Sequence, residues 1–505
     1  MKKDGRRPFG LLLLSAAVSL LLLAGLSACE SSGKPDRDTE AAETAYDHIV
    51  MTFLVDEQQP LRDELPAVSE ELNRITREEI GVEVELLPLT ESEIASRFLF
   101  WTNDQEEIDL AFLGNDEIRQ YFGRRMLLSL DEYFYGNGMI MKALTETGPD
   151  LTEGAVYRGY TYGIGNVDDS NIYGRGFVMD REALERSGIT VDPDKVYTME
   201  EAGEIFRVLK TENDGVYPVC SMTADKGSAT ENFIAPFYAA SSGISTGVDY
   251  DSETGRFFNR YASAYYREFI ELQRAWYLEG LLYPNLLLSD YSPKELARAG
   301  IILGYAADNS PEHLSDSGFP GGAVIINMTY TYRKTGHPGS GYWTVPVTAK
   351  NPEAAVRFLG LMYSDSRITN LLSYGIEGVH YQATDRESGL IEGVRKADGS
   401  YLYDNPYRIY GNQEQAYRRM SREVSDAWLK WKDTAEDVTD PVDGLVWESD
   451  EYTEEIEKVQ EAVASYAPIL ESGSADIEIY YPRFIKALSD AGIDELIDAR
   501  QQSVK

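Results

Sequence analysis

The residue patterns that announce bond-breaking chemistry are sparse in this chain. No GxSxG nucleophile elbow is expected, and the sequence has no GxxxxGK phosphate loop, HExxH or paired CxxC. His48, His313, His337 and His380 are scattered, so zinc would need a mixed ligand set. No metal and no cofactor is therefore expected. Glycoside hydrolysis needs only two carboxylates, and with 85 Asp and Glu that test is uninformative. What stands out is 34 Tyr against 17 Phe, with 6 Trp. Tyrosine offers an apolar face to the C–H side of a sugar ring and a hydroxyl to its polar edge, which suits a selective pocket for polar ligands. Taken singly, most tyrosines are also well placed as half-buried surface residues.

Such side chains need elements to hold them. Ile49 to Val55 is a continuous apolar run of the kind carried by a strand covered on both faces. Val68, Leu72 and Ile75 mark one face of a helix that Gly81 ends, and Val82, Val84 and Leu86 then alternate as a second strand. A helical segment from Glu91 to Thr102 leads to a third buried strand, Ile108 to Leu113. This alternation predicts a parallel sheet with helices packed on it. Further on, Asp180 can cap a short helix ending at Gly188, and Thr198 with Glu201 makes a capping box. Asn351-Pro352 starts a helix with Ala355, Phe358, Leu359 and Met362 as its buried stripe, and Pro482 is read as opening another. Ligands of open α/β sheets bind outside the carboxyl ends of strands. That singles out Asp56, Glu57 and Gln58 after the first strand, and Asn115 and Asp116 after the third.

At the N-terminus Lys2, Lys3, Arg6 and Arg7 precede an apolar stretch, Leu11 to Leu23, and then Leu26-Ser27-Ala28-Cys29. This resembles a bacterial lipoprotein signal, in which Cys29 is linked to diacylglycerol and the chain is cut just before it. The resemblance implies a signal peptide over 1–28 and a flexible polar stalk over 29–46. The folded part is then expected outside the cytoplasmic membrane, lipid-anchored on its outer face. The apolar stretch is short for the roughly 18 to 20 residues of a membrane span. A formal charge of −38 argues against nucleic acid as a partner, because that affinity comes from Lys and Arg neutralising phosphates. With Cys29 acylated, Cys220 has no partner for a disulfide, so stability rests on a core.

Two segments carry a more specific likeness. FIELQRAWYLEGLLYP (269–284), and NPEAAVRFLGLMYSD (351–365) continuing into LLSYGIEGVHY (371–381), resemble extracellular solute-binding proteins of the sugar-binding group, family 1. Val463 to Ser474, followed by Tyr481 to Ala499, is similar to the C-terminal domain of a subgroup of such lipoproteins in Gram-positive bacteria. The resemblance implies an α/β, two-lobed periplasmic-binding-protein-like clamp of type II with discontinuous lobes. It implies residues 47–165 plus 305–343 in one lobe, 170–300 plus 345–505 in the other, and crossings near 162–176, 301–305 and 342–345. The expected role is that of a monomeric substrate-binding lipoprotein of an ABC importer. It would bind a sugar, an oligosaccharide, in the cleft and deliver it to permease subunits without breaking a bond. The crossings bring Asp168, Asp169, Asn171, Tyr173 and Arg175, then Tyr305 and Asp308, then Trp343, to the expected cleft. Tyr374 and Glu377 sit in a loop glycine-rich enough to bring backbone close to a ligand. Asn115 and Asp116 correspond to a place where sugar-binding relatives put a hydroxyl-binding carboxylate. Thr211 to Gly215 lacks the spaced oxygens of the calcium-like loop many relatives carry, so no calcium is expected there. An extracellular carbohydrate-active enzyme, or a binding lipoprotein that feeds a sensor, are the alternatives.

Overall fold

The computed structural model describes residues 46–56, 61, 63–104, 107–122, 124–146, 150–221, 246–336, 338–439 and 449–503. Strand β1 (Asp47–Leu54) buries its last six residues, as its apolar run requires. Helix α1 (Leu65–Ile80) turns Val68, Leu72 and Ile75 inward and stops at Gly81, whose φ of 67° is the left-handed conformation glycine tolerates best. There follow β2 (Val82–Leu89), α2 (Glu91–Asp104), β3 (Ala111–Gly114) and α3 (Asn115–Phe122). The middle of the chain supplies β4 (Gly163–Gly165), β5 (Ile172–Tyr173), β6 (Arg175–Asp180), α4 (Arg181–Arg186), α5 (Met199–Glu212) and α6 (Ala264–Glu279). Next come β7 (Gly304–Asp308), α7 (Pro311–Ser315), β8 (Ala323–Asn327), β9 (Tyr332–Thr335) and β10 (Gly341–Thr344). Then follow α8 (Pro352–Ser364), α9 (Ser366–Tyr374), α10 (Arg422–Asp433) and β11 (Glu436–Thr439). Helices α11 (Thr453–Glu471), α12 (Ile477–Asp490) and α13 (Ile493–Ser503) close the chain.

Two hydrophobic cores form around two sheets. In the first, β1 and β2 pair in parallel, and Leu110, at the foot of β3, bridges Met51 in parallel. The sheet then changes sense, because β10 returns antiparallel between β3 and β4. Its core takes apolar residues from 49 to 167, from 342 to 372 and from 403 to 410. Asp109 staples these distant pieces: its fully buried carboxylate accepts the backbone N–H groups of Val50 (2.9 Å), Lys350 (2.8 Å) and Asn351 (2.9 Å). In the second sheet β6 lies between β7 and β8, antiparallel to both. Two neighbouring clusters pack on that sheet, and the last three helices bring Val459, Leu470, Phe484, Leu488 and Leu496 into one of them.

Strand pairing distributes the chain differently from the expected division. Strands β7 and β8 belong to the second sheet through β6, whereas residues 305–343 were expected with the first lobe. Helices α8 and α9 were expected with the second lobe, yet their apolar stripes pack into the first core. Residues 301–305 consequently lie inside the second sheet and do not cross between cores. The chain passes between cores near 168–171, near 328–341 and a third time between 410 and 459, and a small sheet of β5, β9 and β11 lies along those passages. Pro482 does not open a helix: α12 starts earlier, capped by Asp476, whose side chain accepts from the N–H of Glu478. Asn351 makes no side-chain cap, and instead donates to the carbonyl of His48 (2.6 Å). The caps read at Asp180 and at Thr198 with Glu201 form as expected.

Candidate functional site

Three strand ends converge on a cavity of about 630 Å3, a size typical of small-molecule sites. Leu54 of β1, Gly114 of β3 and Asp308 of β7 all reach it from the carboxyl ends of their strands. Elements packed in the first core supply Glu91 and Ile94 from α2, Phe112 from β3 and Glu117 from α3. The opposite wall carries Ser310, Glu312, and two tryptophans of α10, Trp428 and Trp431. Asp168, Asp169, Ser170, Ile172, Ser340 and the stretch Pro406 to Ile409 complete the lining.

The passages between cores are locked beside this cavity. Fully buried Asn166 donates through Nδ2 to Asp168 Oδ2 (2.6 Å), Ser340 Oγ (3.1 Å) and the Arg408 carbonyl (3.2 Å). Its Oδ1 accepts the N–H of Gly341 (3.0 Å). Ser340 Oγ donates to the same Asp168 oxygen (2.8 Å), while the other Asp168 oxygen accepts from the N–H and hydroxyl of Ser170. Gly339 is required here by close approach: a Cβ would stand 2.3 Å from the Asn166 carbonyl oxygen.

Ion pairs arrange the remaining charge. Asp169 faces Lys432 at 3.2 Å, and Lys432 also pairs with Glu414. Burial pushes the Asp169 carboxyl above its ordinary range, and the Lys432 charge only partly offsets that. Asp308 is subject to the same burial, but His313 at 3.1 Å and the hydrogen bonds from Ser310 hold it down at about 2. Burial works against the charge of Arg408, yet Tyr374, Glu312, Asp169 and Asp168 keep its pKa raised. Glu312 belongs to the wall opposite Arg408, so this field spans the cavity.

The tryptophans lie three residues apart on α10 and so share a face. Trp428 is buried, with the Arg418 guanidinium 5.2 Å and the Lys432 ammonium 5.3 Å from its ring centre. Trp431 donates its Nε1–H to Asn309 Oδ1 (2.8 Å), which fixes the ring while leaving it half-buried at the cavity. A face of this kind stacks on the C–H side of a pyranose, and the surrounding carboxylates accept its hydroxyls.

Of the residues singled out in sequence, Asp168, Asp169 and Asp308 line the cavity. Asp56 is half-buried just past β1. Glu57 and Gln58 lie outside the described residues, as does the side chain of Asp116. Asn115 donates to the Gly339 carbonyl (3.0 Å), tying α3 to the second passage, and its buried Oδ1 has no hydrogen-bond partner among the described residues. Asn171 is buried and donates to the Lys334 carbonyl (3.4 Å). Tyr173 stacks on Tyr332 with ring centres 5.6 Å apart, and the N–H of Arg175 donates to Thr329 Oγ1 (2.9 Å); these three positions build the passage. Trp343 is fully buried and donates to the Ile409 carbonyl (2.7 Å), so it props the wall from behind. Tyr305 is likewise buried, donating to the Ser317 carbonyl (2.9 Å). Tyr374 packs with Tyr381, Ile391 and Ala416 in a small separate cluster, and Glu377 pairs with Arg386. The glycine of that loop serves a histidine: a Cβ on Gly375 would stand 2.3 Å from His380 Nδ1, which accepts the N–H of Ile376 (2.8 Å).

Sequence reasoning passed over Trp428, Trp431, Tyr407, Arg408, Glu91, Glu117 and Phe112 as binding residues. The tryptophan pair carried a usable signal, since two indoles at i and i+3 sit on a helix opened by Ser421, whose hydroxyl accepts from the N–H of Val424. Arg408 carried none, because its stretch has no periodic pattern. One string, Gly243-Ile-Ser-Thr-Gly247, does have GxSxG spacing. Its serine lies outside the described residues, and the string leads into a strand, Val248–Asp251, where an elbow needs a helix. Among the described residues no cluster of His, Cys, Asp and Glu could hold a metal ion, and no helix is long and apolar enough to cross a membrane.

Comparisons with known proteins agree with this architecture. Residues 441–505 match DUF3502, a domain of unknown function. A carbohydrate ABC transporter substrate-binding protein of Streptococcus pneumoniae serotype 4 is 19% identical, over 96% of this chain and 95% of its own. The crystal structure of the N-glycan transport solute binding protein of Streptococcus pneumoniae superposes with a TM-score of 0.71 at 17% identity, covering 90% of this chain and 98% of that one. A solute-binding protein of Bifidobacterium longum infantis, described as binding HMO, gives 0.62 at 14% identity over 91% and 98%. With two α/β cores enclosing a cavity at their strand ends, and with these structural neighbours, the chain has the type II solute-binding protein fold and ends in a DUF3502 domain.

Proposed function

We propose that this chain captures an oligosaccharide in the cavity between its two cores and presents it to an ABC importer. The observation that carries the reading is the cavity itself: strand ends of both sheets meet there, with Trp428, Trp431 and Phe112 among its lining and six carboxylates offering acceptors. The neighbours support the class of ligand, since the pneumococcal N-glycan protein is known in complex with Man1GlcNAc and with Man5GlcNAc. A ligand that bridges both walls favours the arrangement in which they close, and shifts the population by that differential affinity. On this reading the chain breaks no bond, works as a monomer, and is held to the outer face of the membrane by a lipid on Cys29.

A melting-temperature screen against neutral N-glycan, milk-type and fructan oligosaccharides, with peptides as controls, tests the proposal. A dose-dependent rise with one saccharide series, recovered intact by chromatography, is the expected result, because a ligand bound only by the native state stabilises it. Stabilisation by peptides alone removes the sugar assignment. Consumption of the sugar moves the chain to the carbohydrate-active enzymes.

A further inference from the structure

The lining of the cavity is unbalanced in both charge and hydrogen-bond type. Its ionisable side chains are Glu91, Glu117, Asp168, Asp169, Asp308 and Glu312, against the single guanidinium of Arg408. Asp169 and Asp308 have cationic or imidazole partners, Lys432 and His313. The other four make no direct ion pair among the described residues: Asp168 is held by neutral donors and Glu117 accepts the N–H of Gly114 (2.8 Å). Negative charge comes from α2 and α3 on one wall, from α7 on the other, and from the passage between them. The one lining cation already answers to Glu312, Asp169 and Asp168.

Ionised carboxylates only accept hydrogen bonds, whereas an ammonium brings three donors and no acceptor. The walls also carry the half-buried Tyr407 and Trp431, aromatic side chains of the kind that attracts cations. The site is thus short of donors and of positive charge, and both shortages are met by one group. Resting on the oligosaccharide reading above, we infer that the preferred ligand is an amino-sugar oligosaccharide with at least one free, protonated amine, and that saccharides bearing carboxylates are rejected.

A matched pair tests this on the purified protein. Titration calorimetry compares a glucosamine oligomer with its fully N-acetylated counterpart of equal length, with an oligogalacturonate and spermidine as further arms. The amine form should bind about tenfold tighter at low salt, with the advantage shrinking as ionic strength rises. Raising the pH past the amine's own pKa should abolish it. Glu91 and Glu312 are exposed first-turn residues of α2 and α7, so the double variant E91Q/E312Q keeps the fold while removing two charges. It should lower the preference several-fold, the amine form losing more affinity than the N-acetylated form. Equal or tighter binding of the acetylated form, or binding of the uronate, overturns the inference and leaves the oligosaccharide reading standing. An unchanged preference in E91Q/E312Q likewise overturns it. Binding of spermidine with no saccharide bound in any form overturns both.

Discussion

Replacing Trp431 with alanine removes a half-buried ring of the cavity at a computable cost. The indole is half-buried, and its Nε1–H is committed to Asn309 Oδ1 at 2.8 Å, so a sugar can meet only its free face. An aromatic side chain buries about 150–250 Å2 when fully covered, so one face accounts for roughly a third, about 60–80 Å2. The facing C–H surface of a pyranose loses a similar area, and at about 25 cal/mol per Å2 the pair gains about 3 kcal/mol. Ordering of the ligand consumes about a third of that, leaving about 2 kcal/mol, or a loss of roughly thirtyfold in affinity for Trp431→Ala. The substitution also strands Asn309 Oδ1, so Trp431→Phe is the control: it loses the same hydrogen bond and keeps a ring face. Calorimetric titration of the sugar found in the melting screen should give about thirtyfold weaker binding for the alanine variant and within about fivefold for phenylalanine. Equal losses in both would assign the effect to the Asn309 contact, and an alanine variant within threefold of the parent would refute stacking at this ring.

Other expectations concern the frame. Truncation in Asp109→Ala strands three backbone N–H groups that now reach a charged acceptor, so urea unfolding should show a loss of about 4 kcal/mol or more. Gly339→Ala forces a methyl against the Asn166 carbonyl; a destabilisation of about 1–3 kcal/mol and weaker sugar binding should follow, read by melting and titration. Asp308 has a folded pKa of about 2, below its ordinary value, so its contribution to stability is complete above about pH 4 and is lost as the pH falls toward 2. His313→Ala should therefore melt below the parent at pH 5 to 7, and the gap should close by about pH 2; a gap that is constant with pH would contradict the assignment.

Much of the frame was legible because local chemistry decided it. The apolar run before Asp56, the helix ended by Gly81 and the capping box at Thr198 each answer to a few adjacent residues. Which core a segment joins depends on partners far along the chain. Nothing within residues 304–327 reveals that they flank β6, and the apolar stripe of α8 would fit either sheet. The candidate site divides in the same way. Asp169 and Asp308 were reachable because they follow directly from strand ends and passages. Trp343 and Tyr305 occupy equally promising positions in the sequence, but side chains alternate across a strand, and theirs point into the cores. The carboxylates of α2 and α7 read as ordinary first-turn residues, and only the approach of the two walls makes them part of one cavity.

The most direct test is a crystal structure of the protein with the saccharide identified by titration. Density for the sugar in the cavity, with a ring against Trp431 and hydroxyls or an amine on Asp168 and Glu117, is the predicted result. A saccharide bound elsewhere, with this cavity empty, would contradict capture between the two cores.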